Sequence, residues 1–541
     1  MRTSDWKKYR YILAAAVLVA LASVKTGFNP LVLLRRGEKF FDILKEMFPP
    51  DWTFASRAWQ PLISTIQMAL AGTVLGAALG LPTSFFCAAG VNKAAWLRRP
   101  LRFLIQLIRT IPALILALFL TFLTGIGMFA GTAALSIYTF GILTKLGYED
   151  LENAPMASYH ALVHAGSGKA RAAVRGLLPE VLPSYLSNSL YLLESNVRGS
   201  AILGYVGAGG IGLLLNEKLS WRQYDKAGMV LIMLLGAVVL AEGVSEYLRY
   251  VLKEREISGG RDERGGREGR GDKGDKEGRE DKRDGFGGMR FPGLAAAVLC
   301  CMLLAGSLYG VGLPASQGGI RVARAMVNGI FHPDLTLLLD PGPHGVAGLL
   351  LETVCIAITG TVAGTVLALP LALAGSMRLM PLWAAIPVRL LTAAVRTVPV
   401  FIYGLMCIRV TGPGAFAGAL TLGITSVGLL TKRFQTAADN VDLGSWRAVR
   451  NMGVSPAGAL RHGLWPQLYP AFASAALYRL DVNMREASIL GLVGAGGIGA
   501  PLIMAMNQYK WNQAGALLLG LAAAVLLIEW GSGRLRRRVW L

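Results

Sequence analysis

Two pairs of opposite charges lie inside apolar segments of this 541-residue chain. Glu194 and Arg198 are four positions apart, and so are Asp481 and Arg485. Residues at this spacing share one face of a helix, so each acid can pair with its arginine. Charges in such segments are costly and usually face a cavity or a partner. Two interpretations stay open: a structural ion pair that fixes the helix, and arginines that frame a path for an anion.

The hexapeptide Gly-Ala-Gly-Gly-Ile-Gly occurs twice, at Gly207–Gly212 and Gly494–Gly499. Backbone N–H groups in such turns bind anions, so these segments could offer N–H groups to the oxygens of an anion. The glycines could also serve close helix packing or a re-entrant bend. A dinucleotide site is not expected, because it needs alternating strands and helices with an acidic residue about 20 positions on. No acid lies between Gly499 and Ile528.

These features belong to a duplicated unit. Residues of the first half recur in the second at one constant distance along the chain, which identifies an internal repeat. Arg109 and Arg396, each three residues before a proline, are part of it. The candidates for a translocation path are Arg109, Glu194, Asn196, Arg198, Gly207, Gly209, Gly210 and Gly212, and their counterparts Arg396, Asp481, Asn483, Arg485, Gly494, Gly496, Gly497 and Gly499.

The composition indicates the class of protein. Hydrophobic residues make up 53% of the chain and charged residues 16%, and the mean hydropathy is +0.48. A soluble domain is about 25% charged. The apolar residues also form runs of about 20, the length that crosses a bilayer as a helix. We therefore predict an all-α integral membrane protein. The net charge of +21 does not indicate nucleic acid, because cytoplasmic loops of such proteins are rich in Lys and Arg.

The apolar segments predict two bundles of about six membrane helices each. The predicted domains are a first repeat at 1–252, a disordered charged linker at 253–290 and a second repeat at 291–541. The predicted spans are 11–27, 60–88, 101–123, 127–146, 184–205 and 227–250, then 291–312, 348–375, 386–409, 414–431, 471–493 and 513–530.

The basic residues predict the orientation. Lys and Arg are concentrated in the loops that face the cytoplasm if both termini and the linker are cytoplasmic. Both halves then cross the membrane in the same sense, as parallel repeats, and we expect a pathway between them. The apolar run Tyr11–Val24 resembles a signal peptide, but no clean cleavage site follows it, so we predict a retained first helix.

The longest polar interruption in each half lies between its fourth and fifth predicted spans, at 150–182 and 437–469. Each is predicted to form a short helix, a glycine break and a second short helix, with prolines at the entry to the next span. On physical grounds this basic hairpin could be a handle for another protein or a solvated loop. Its candidate residues are His160, Ala161, Gly166, Pro179, Arg447, Ala448, Gly453 and Pro466.

The spacing of these interruptions resembles the coupling motif of ABC importer permeases, in which Glu-Ala-Ala is followed by Gly and Leu-Pro. In that family the short helix docks in a groove of the ATPase subunit. His160 and Arg447 stand where the motif has Glu. The strings Arg109-Thr110-Ile111-Pro112 and Leu203-Gly204-Tyr205-Val206 before the first hexapeptide resemble the phosphonate-type subfamily.

The resemblance covers residues 60–250 and 345–530 and implies two type I ABC importer permease subunits fused in tandem. It implies a subunit that translocates phosphonate or a related phosphorus oxyanion across the cytoplasmic membrane. Its partners would be two ATPase subunits, a periplasmic or lipid-anchored substrate-binding protein and membrane lipids, with no nucleic acid. The chain would be no enzyme and hold no cofactor, because the ATPase subunits bind the ATP.

Three chemical motifs are incomplete. Gly166-Ser167-Gly168-Lys169 resembles a phosphate-binding loop, but it lacks the first glycine and the Ser or Thr after the lysine. His160 and His164 have no Glu between them and no counterpart in the second half, so no metal site is predicted. The five cysteines form no Cys-x-x-Cys spacing and are interpreted as packing residues.

Other functions stay open on the sequence alone. An ABC permease could carry phosphate, phosphite or a methionine-like solute instead. A secondary transporter with two parallel halves would need no ATPase and would respond to ion gradients. A membrane enzyme would need a catalytic constellation, and we find none.

Overall fold

A computed structural model describes Leu13, residues 16–265 and residues 317–539. Across these ranges the chain forms helices joined by turns and loops, without β-strands, which confirms the predicted all-α fold. Part of the first predicted span, residues 266–290 of the predicted linker and the whole predicted span at 291–312 lie outside the described residues.

The first half begins with three helices that precede the first long span: α1 (Ala16–Thr26), α2 (Pro30–Arg36) and α3 (Glu38–Glu46). The helices that follow are α4 (Ala55–Cys87), α5 (Ala95–Thr110), α6 (Ala113–Thr124), α7 (Met128–Asn153), α8 (Ala157–His164), α9 (Lys169–Gly176), α10 (Leu178–Leu203), α11 (Ile211–Ser220) and α12 (Tyr224–Gly265).

Helix α12 does not end where the sequence predicts the linker to begin. It continues through residues 253–265, which were expected to be a disordered tether. These residues include Lys, Glu and Arg, which are good helix formers, and they extend a helix that is already nucleated by the preceding span.

The second half repeats this order. Its helices are α13 (Gln317–Phe331), α14 (Leu335–Leu339), α15 (Val346–Ala374), α16 (Leu382–Thr397), α17 (Val400–Thr411), α18 (Ala415–Asp439), α19 (Gly444–Asn451), α20 (Pro456–Ala459), α21 (Trp465–Gly491), α22 (Gly499–Asn507) and α23 (Trp511–Val539). A π-helical turn, Leu460–Leu464, joins α20 to α21.

Six helices in the described ranges are long and apolar enough to cross a membrane, and up to nine spans result if each bent helix pair is counted as one. The six are α4, α7, the Tyr224–Tyr250 part of α12, α15, α18 and the Trp511–Leu535 part of α23. Helix α21 occupies the predicted span 471–493 but is not among them. It carries Arg479, Asp481, Arg485 and Glu486 within two turns, which lowers its hydropathy.

The third predicted span of each half is bent rather than straight. Helices α5 and α6 meet at 90°, and α16 and α17 meet at 88°. Val398 is extended, with φ −71° and ψ 124°, and it precedes Pro399. Proline supplies no backbone N–H, and its ring disfavours a helical residue before it. The sequence therefore contained the cause of these bends, although single spans were predicted across them.

The described chain divides into two compact units. One comprises Pro50–Arg109 and Ala113–Gly319, and the other comprises Met1–Pro49, Thr110–Pro112 and Ile320–Leu541. The helices before the first long span therefore group with the second repeat, whereas the predicted first domain at 1–252 included them. The ring of Phe28 meets Phe416 edge-on at 5.5 Å, and Phe40 packs against a buried cluster of the second repeat.

Small residues allow the central helices of each unit to approach closely. A side chain at Gly76 of α4 would come within 2.7 Å of the backbone of α7 at Ser136. In the second unit, Gly364 of α15 lies equally close to α18. Glycine at such contacts is typical of helices that pack in membranes, where dispersion and close backbone approach replace the hydrophobic effect.

Candidate functional site

Buried asparagines tie three helices together in each half. Asn196 Nδ2 on α10 donates to Thr73 Oγ1 of α4 and Thr139 Oγ1 of α7, both at 2.8 Å. Asn483 Nδ2 on α21 donates to Thr361 Oγ1 at 2.7 Å and Ser426 Oγ at 3.0 Å. Both asparagines are almost fully buried. The sequence proposed them for the translocation path, whereas the structure places their amides among the packed helices.

The predicted ion pair forms in the first half. Arg198 Nη2 donates to Glu194 Oε1 at 2.9 Å across one turn of α10. The other carboxylate oxygen of Glu194 lies 3.8 Å from Arg249 Nη2 on α12. Glu194 is buried. Because its carboxylate lies close to both Arg198 and Arg249, it neutralises part of their charge. This arrangement fits the interpretation of Glu194 and Arg198 as a structural pair.

The equivalent residues of the second half make different contacts. Asp481 Oδ1 accepts a hydrogen bond from Ser532 Oγ on α23 at 2.7 Å. Arg485 forms no ion pair with any residue that the structure describes, and its Nε is buried without a hydrogen-bond partner. The i,i+4 spacing therefore predicted the pairing correctly in one half only.

A second charge pair on α21 was missed in the sequence analysis. Arg479 is 4% exposed, and its Nη1 and Nη2 lie 3.3 and 2.7 Å from the two carboxylate oxygens of Glu486. It also donates to Ser426 Oγ at 3.0 Å and Thr425 Oγ1 at 3.2 Å. The spacing of seven positions, two turns on one face, was the signal that could have revealed it. The repeat places no charges at the equivalent first-half positions, Leu192 and Gly199.

The glycine hexapeptides form tight loops after α10 and α21. Gly209 and Gly210 have φ values of +81° and +79°, and Gly496 and Gly497 have +80° and +76°. Residues with a side chain rarely adopt this left-handed region. A Cβ on Gly212 would also collide with the carbonyl of Ala201. The loops therefore need glycine for both backbone conformation and close helix approach, which supports the packing interpretation.

Hydroxyl groups bind part of the backbone of each loop. Ile211 N donates to Thr65 Oγ1 at 2.7 Å, and Ile498 N donates to Thr353 Oγ1 at 3.0 Å. The second loop has an additional acidic neighbour, because Glu352 Oε1 accepts from Gly497 N at 3.3 Å. The carboxylate of Glu352 shows that this loop can receive an anionic group.

Arg109 and Arg396 lie at the ends of α5 and α16, just before the sharp bends. Arg109 Nη1 is 3.5 Å from Gln106 Oε1. The backbone of Arg396 passes so close to Gly428 of α18 that a Cβ there would be 3.0 Å from Arg396 N. The bend thus holds the backbone of Arg396 against α18. In the first half, a Cβ on Gly141 of α7 would lie 3.2 Å from Arg109 Cγ.

The polar interruptions have the predicted shape of two short helices around a glycine. In the first half, α8 and α9 flank Gly166, which has a φ of +84°. Its N–H donates to Val163 O at 3.0 Å, and Ser167 N donates to Leu162 O at 3.0 Å, which closes the end of α8. In the second half, Gly453 has a φ of +81° after α19.

Helices α8 and α19 each expose one face and pack the other against their own unit. His160, Ala161, Arg447 and Ala448 are exposed. Tyr159, one residue before His160, is buried in a cluster with residues of α7, α9 and α10. Helix α8 is thus anchored to its unit by one face. Helix α19 has no fully buried residue, but its Trp446 packs against a buried cluster of the second repeat. Both helices present their other face outward, an arrangement suited to docking another protein.

A sequence profile of the binding-protein-dependent transport system inner membrane component family matches residues 80–249 and again residues 350–539. The matched ranges cover more than half of the chain and include α8–α9 and α19–α20. The chain belongs to this family. It is therefore a multi-pass membrane component of the permease type, with the family domain present twice in tandem.

Curated relatives resemble this permease over different lengths. The chain is 27% identical over 513 residues to the phosphate-import permease protein PhnE of Mycolicibacterium smegmatis, covering 95% of this chain and 91% of that protein. It is 34% identical over 227 residues to the phosphite transport system permease protein PtxC of Stutzerimonas stutzeri, covering 40% of this chain and 82% of that protein.

Among solved structures, an inward-facing MetNI methionine ABC transporter chain matches with 24% identity and a TM-score of 0.31. The match covers 36% of this chain and 95% of that one.

Arginine clamps lie directly before the short helices of the permease. In the first half, Arg102 of α5 pairs with Glu152 near the end of α7, and its Nε donates to Cys87 O at the end of α4 at 2.8 Å. In the second half, Arg389 pairs with Asp439, and its Nε donates to Gly375 O at 2.8 Å. Each arginine thus joins the middle of its own helix to two helix ends, just before the short helices in the chain. The sequence analysis missed this role of the two arginines.

The described residues contain no group of three or more His, Cys, Asp or Glu side chains arranged to hold a metal ion. The rings of His160 and His164 are 6.4 Å apart on α8 and lie on its outward side.

Proposed function

We propose that this permease is the transmembrane subunit of an ATP-driven importer that carries phosphonate or a related phosphorus oxyanion across the cytoplasmic membrane. One observation carries the proposal: the similarity to a phosphate-import permease extends over 95% of the chain, both repeats included. The shorter relative is described as a permease for phosphite.

The short helices α8 and α19 are the proposed contacts for two ATPase subunits. Their outward residues are His160 and Ala161 in one half and Arg447 and Ala448 in the other. Gly166 and Gly453 close the helices, and Pro179 and Pro466 lie in the first turns of the next spans, α10 and α21. ATP would be bound by the partner subunits.

The solute would meet arginines along its path. Arg109, Arg396 and Arg485 offer planar guanidinium groups, which suit the oxygens of a phosphonate or phosphate better than a point charge does. A periplasmic or lipid-anchored binding protein would deliver the solute. For transport to be driven, the loaded binding protein and ATP must each favour a different state of the permease.

The proposed orientation places both termini and the linker in the cytoplasm. Its support is the distribution of Lys and Arg along the chain. Under this orientation α8 and α19 lie on the cytoplasmic side, where ATP is available.

Replacing Gly166 or Gly453 with valine tests the proposal. The left-handed backbone conformation of these glycines costs a residue with a side chain about 1–2 kcal/mol. Valine should therefore displace the end of the short helix. We expect ATPase co-purification and uptake of phosphite or methylphosphonate to fall at least fivefold.

The matched control for the glycine variants is Gly168→Val. Gly168 has an ordinary φ of −58° and free space around it, so this variant should keep most of the activity. Unchanged uptake in both Gly166→Val and Gly453→Val would contradict the assignment of α8 and α19 as coupling helices. Failure of the wild-type complex to import any phosphorus oxyanion would contradict the proposed solute.

A further inference from the structure

The two arginines at equivalent positions of the repeat differ in their partners. Arg198 donates to Glu194 at 2.9 Å, and the same carboxylate lies 3.8 Å from Arg249. Arg485 has no such partner in the described part of the chain. The Nε of each arginine is buried without a hydrogen-bond partner, so the difference lies in the carboxylate contact. The duplicated sequence alone suggests equal roles for these arginines. The contacts of the two side chains, however, differ.

The carboxylate of the second half is directed to another helix. Asp481 Oδ1 accepts from Ser532 Oγ of α23 at 2.7 Å. The equivalent serine of the first half, Ser245, instead donates to Leu190 O at 3.4 Å. Asp is one methylene shorter than Glu, so a side chain at position 481 reaches less far along its own helix. The shorter acid thus leaves Arg485 without the neutralising contact that Glu194 gives Arg198.

The remaining acid on this part of α21 is also engaged. Glu486 follows Arg485 in sequence, but its oxygens lie 2.7 and 3.3 Å from the Nη atoms of buried Arg479. That pair has no equivalent in the first half, where Leu192 and Gly199 stand. Both nearby carboxylates of the second half therefore have partners other than Arg485.

The position of Arg485 leaves it accessible. Helix α21 packs against α15, α18 and α23, and Arg485 is one of its partly exposed residues, as Arg198 is on α10. Arg485 lies six residues before the end of the helix at Gly491, about 9 Å along the axis. Cations among apolar helices are costly unless an anion neutralises them. A solute oxyanion can fill this role, because a guanidinium can donate to two oxygens through its two Nη atoms.

We propose that Arg485 is the residue that binds the oxyanion group of the solute, and that Arg198 is a structural residue whose charge Glu194 neutralises. The inference rests on the proposed function as an importer of a phosphorus oxyanion. It assigns different roles to the halves of the duplicated chain: the second half binds the anion, and the equivalent position in the first half stabilises the bundle.

The first experiment measures anion binding by the full chain in its ATPase complex. The thermal midpoint is compared with and without phosphite, methylphosphonate, phosphate and sulfate for wild type, Arg485→Gln and Arg198→Gln. We expect anions to raise the midpoint in wild type and in Arg198→Gln, but not in Arg485→Gln. Arg198→Gln should lower the midpoint without anion, because it leaves buried Glu194 with less compensation. An equal anion response in wild type and Arg485→Gln would overturn the inference, and so would no response in wild type.

The second experiment changes the partners of the two arginines and measures uptake in liposomes. Asp481→Glu lengthens the acid toward Arg485 and should raise the KM at least threefold, as pairing now competes with the solute. Arg485→Gln should lower kcat/KM at least tenfold. Adding Glu194→Gln to Arg485→Gln releases Arg198 and should restore part of the uptake. Equal losses in Arg198→Gln and Arg485→Gln, with folded complexes, would overturn the division of roles.

These outcomes separate the inference from the proposed function. If wild type imports a phosphorus oxyanion and Arg485→Gln does so equally well, the function stands and the role of Arg485 fails. If wild type imports none, the proposed solute fails, while an anion response that disappears only in Arg485→Gln still supports the site.

Discussion

At the residue scale, equivalent side chains of a duplicated sequence divide into those that keep their contacts and those that do not. Asn196 and Asn483 donate to hydroxyls at matching positions in both halves. Arg198 and Arg485 do not match, because Glu194 became Asp481 and the shorter acid bonds to Ser532 instead. A substitution of a buried asparagine would remove its hydrogen bonds to two hydroxyl partners, so its contacts are kept in both halves. The partly exposed arginines have no such constraint, and their contacts differ between the halves.

The asparagines provide the prediction that belongs to this scale. Asn196→Ala and Asn483→Ala should each destabilise the protein by about 1 kcal/mol, because interhelical hydrogen bonds in membranes have this magnitude. The measurement is thermal unfolding of the solubilised chain. Asn507→Ala, at an exposed asparagine, is the control and should leave the midpoint unchanged. A midpoint of Asn196→Ala equal to that of the control would show that its amide does not stabilise the bundle.

At the element scale, prolines and glycines at the helix ends determine where the helices bend and where they stop. Prolines bend α5–α6 and α16–α17 by nearly a right angle, and glycines with positive φ end α8 and α19. The arginine clamps join the ends of α4 and α7, and of α15 and α18, next to those short helices. A displacement of a short helix can therefore reach two neighbouring helix ends through one arginine side chain.

The clamp prediction concerns stability and coupling. Arg102→Gln should destabilise the first unit by about 1 kcal/mol, a value reduced from that of a buried charged hydrogen bond because the pair is partly exposed. It should also raise the ATP hydrolysed per solute imported, since the short helix loses its rigid support. ATPase and uptake assays on one liposome preparation give this ratio.

The control for the clamp is Lys145→Gln. Lys145 lies 3.6 Å from Glu149 one turn away, a surface pair expected to contribute less than about 0.5 kcal/mol. An unchanged ATP-to-solute ratio in Arg102→Gln would restrict the clamp to a structural role.

At the scale of the whole molecule, chain order and spatial grouping differ. Residues before Pro50 precede the first repeat in sequence but group with the second repeat in space. Because the two permease domains are joined in one chain, helices α1–α3 are covalently linked to the second repeat, with which they group in space. The unit formed by the second repeat therefore includes α1, α2 and α3, which precede the first repeat in sequence.

Two neighbouring phenylalanines test this grouping. Phe40 packs against the cluster that includes Ile356 and Leu422 of the second repeat, whereas Phe41 is 60% exposed. Phe40→Ala should lower the stability of the second unit by about 1–2 kcal/mol, less than for a fully buried phenylalanine. Phe41→Ala should have a much smaller effect. Limited proteolysis in the second repeat provides the measurement, and equal protection in the two variants would contradict the packing.

The sequence by itself determined the class of protein, the duplication and the shape of the polar interruptions. Hydropathy is a property of composition, the repeat is visible by comparing the halves, and the conformations of glycine and proline depend on neighbouring residues. The bends at Pro112 and Pro399 were also within reach of such local reasoning, although long apolar runs on both sides suggested unbroken spans.

Only the tertiary structure decided which partners the polar residues find among the described residues. Asn196 finds Thr73 and Thr139 on other helices, and Asp481 finds Ser532 far along the chain. Periodicity shows the face on which a residue lies, but the residue opposite that face depends on how distant helices pack. For this reason Arg198 and Arg485, which lie at equivalent positions of the repeat, differ in one property that matters for an anion: among the described residues, only Arg198 has a carboxylate partner.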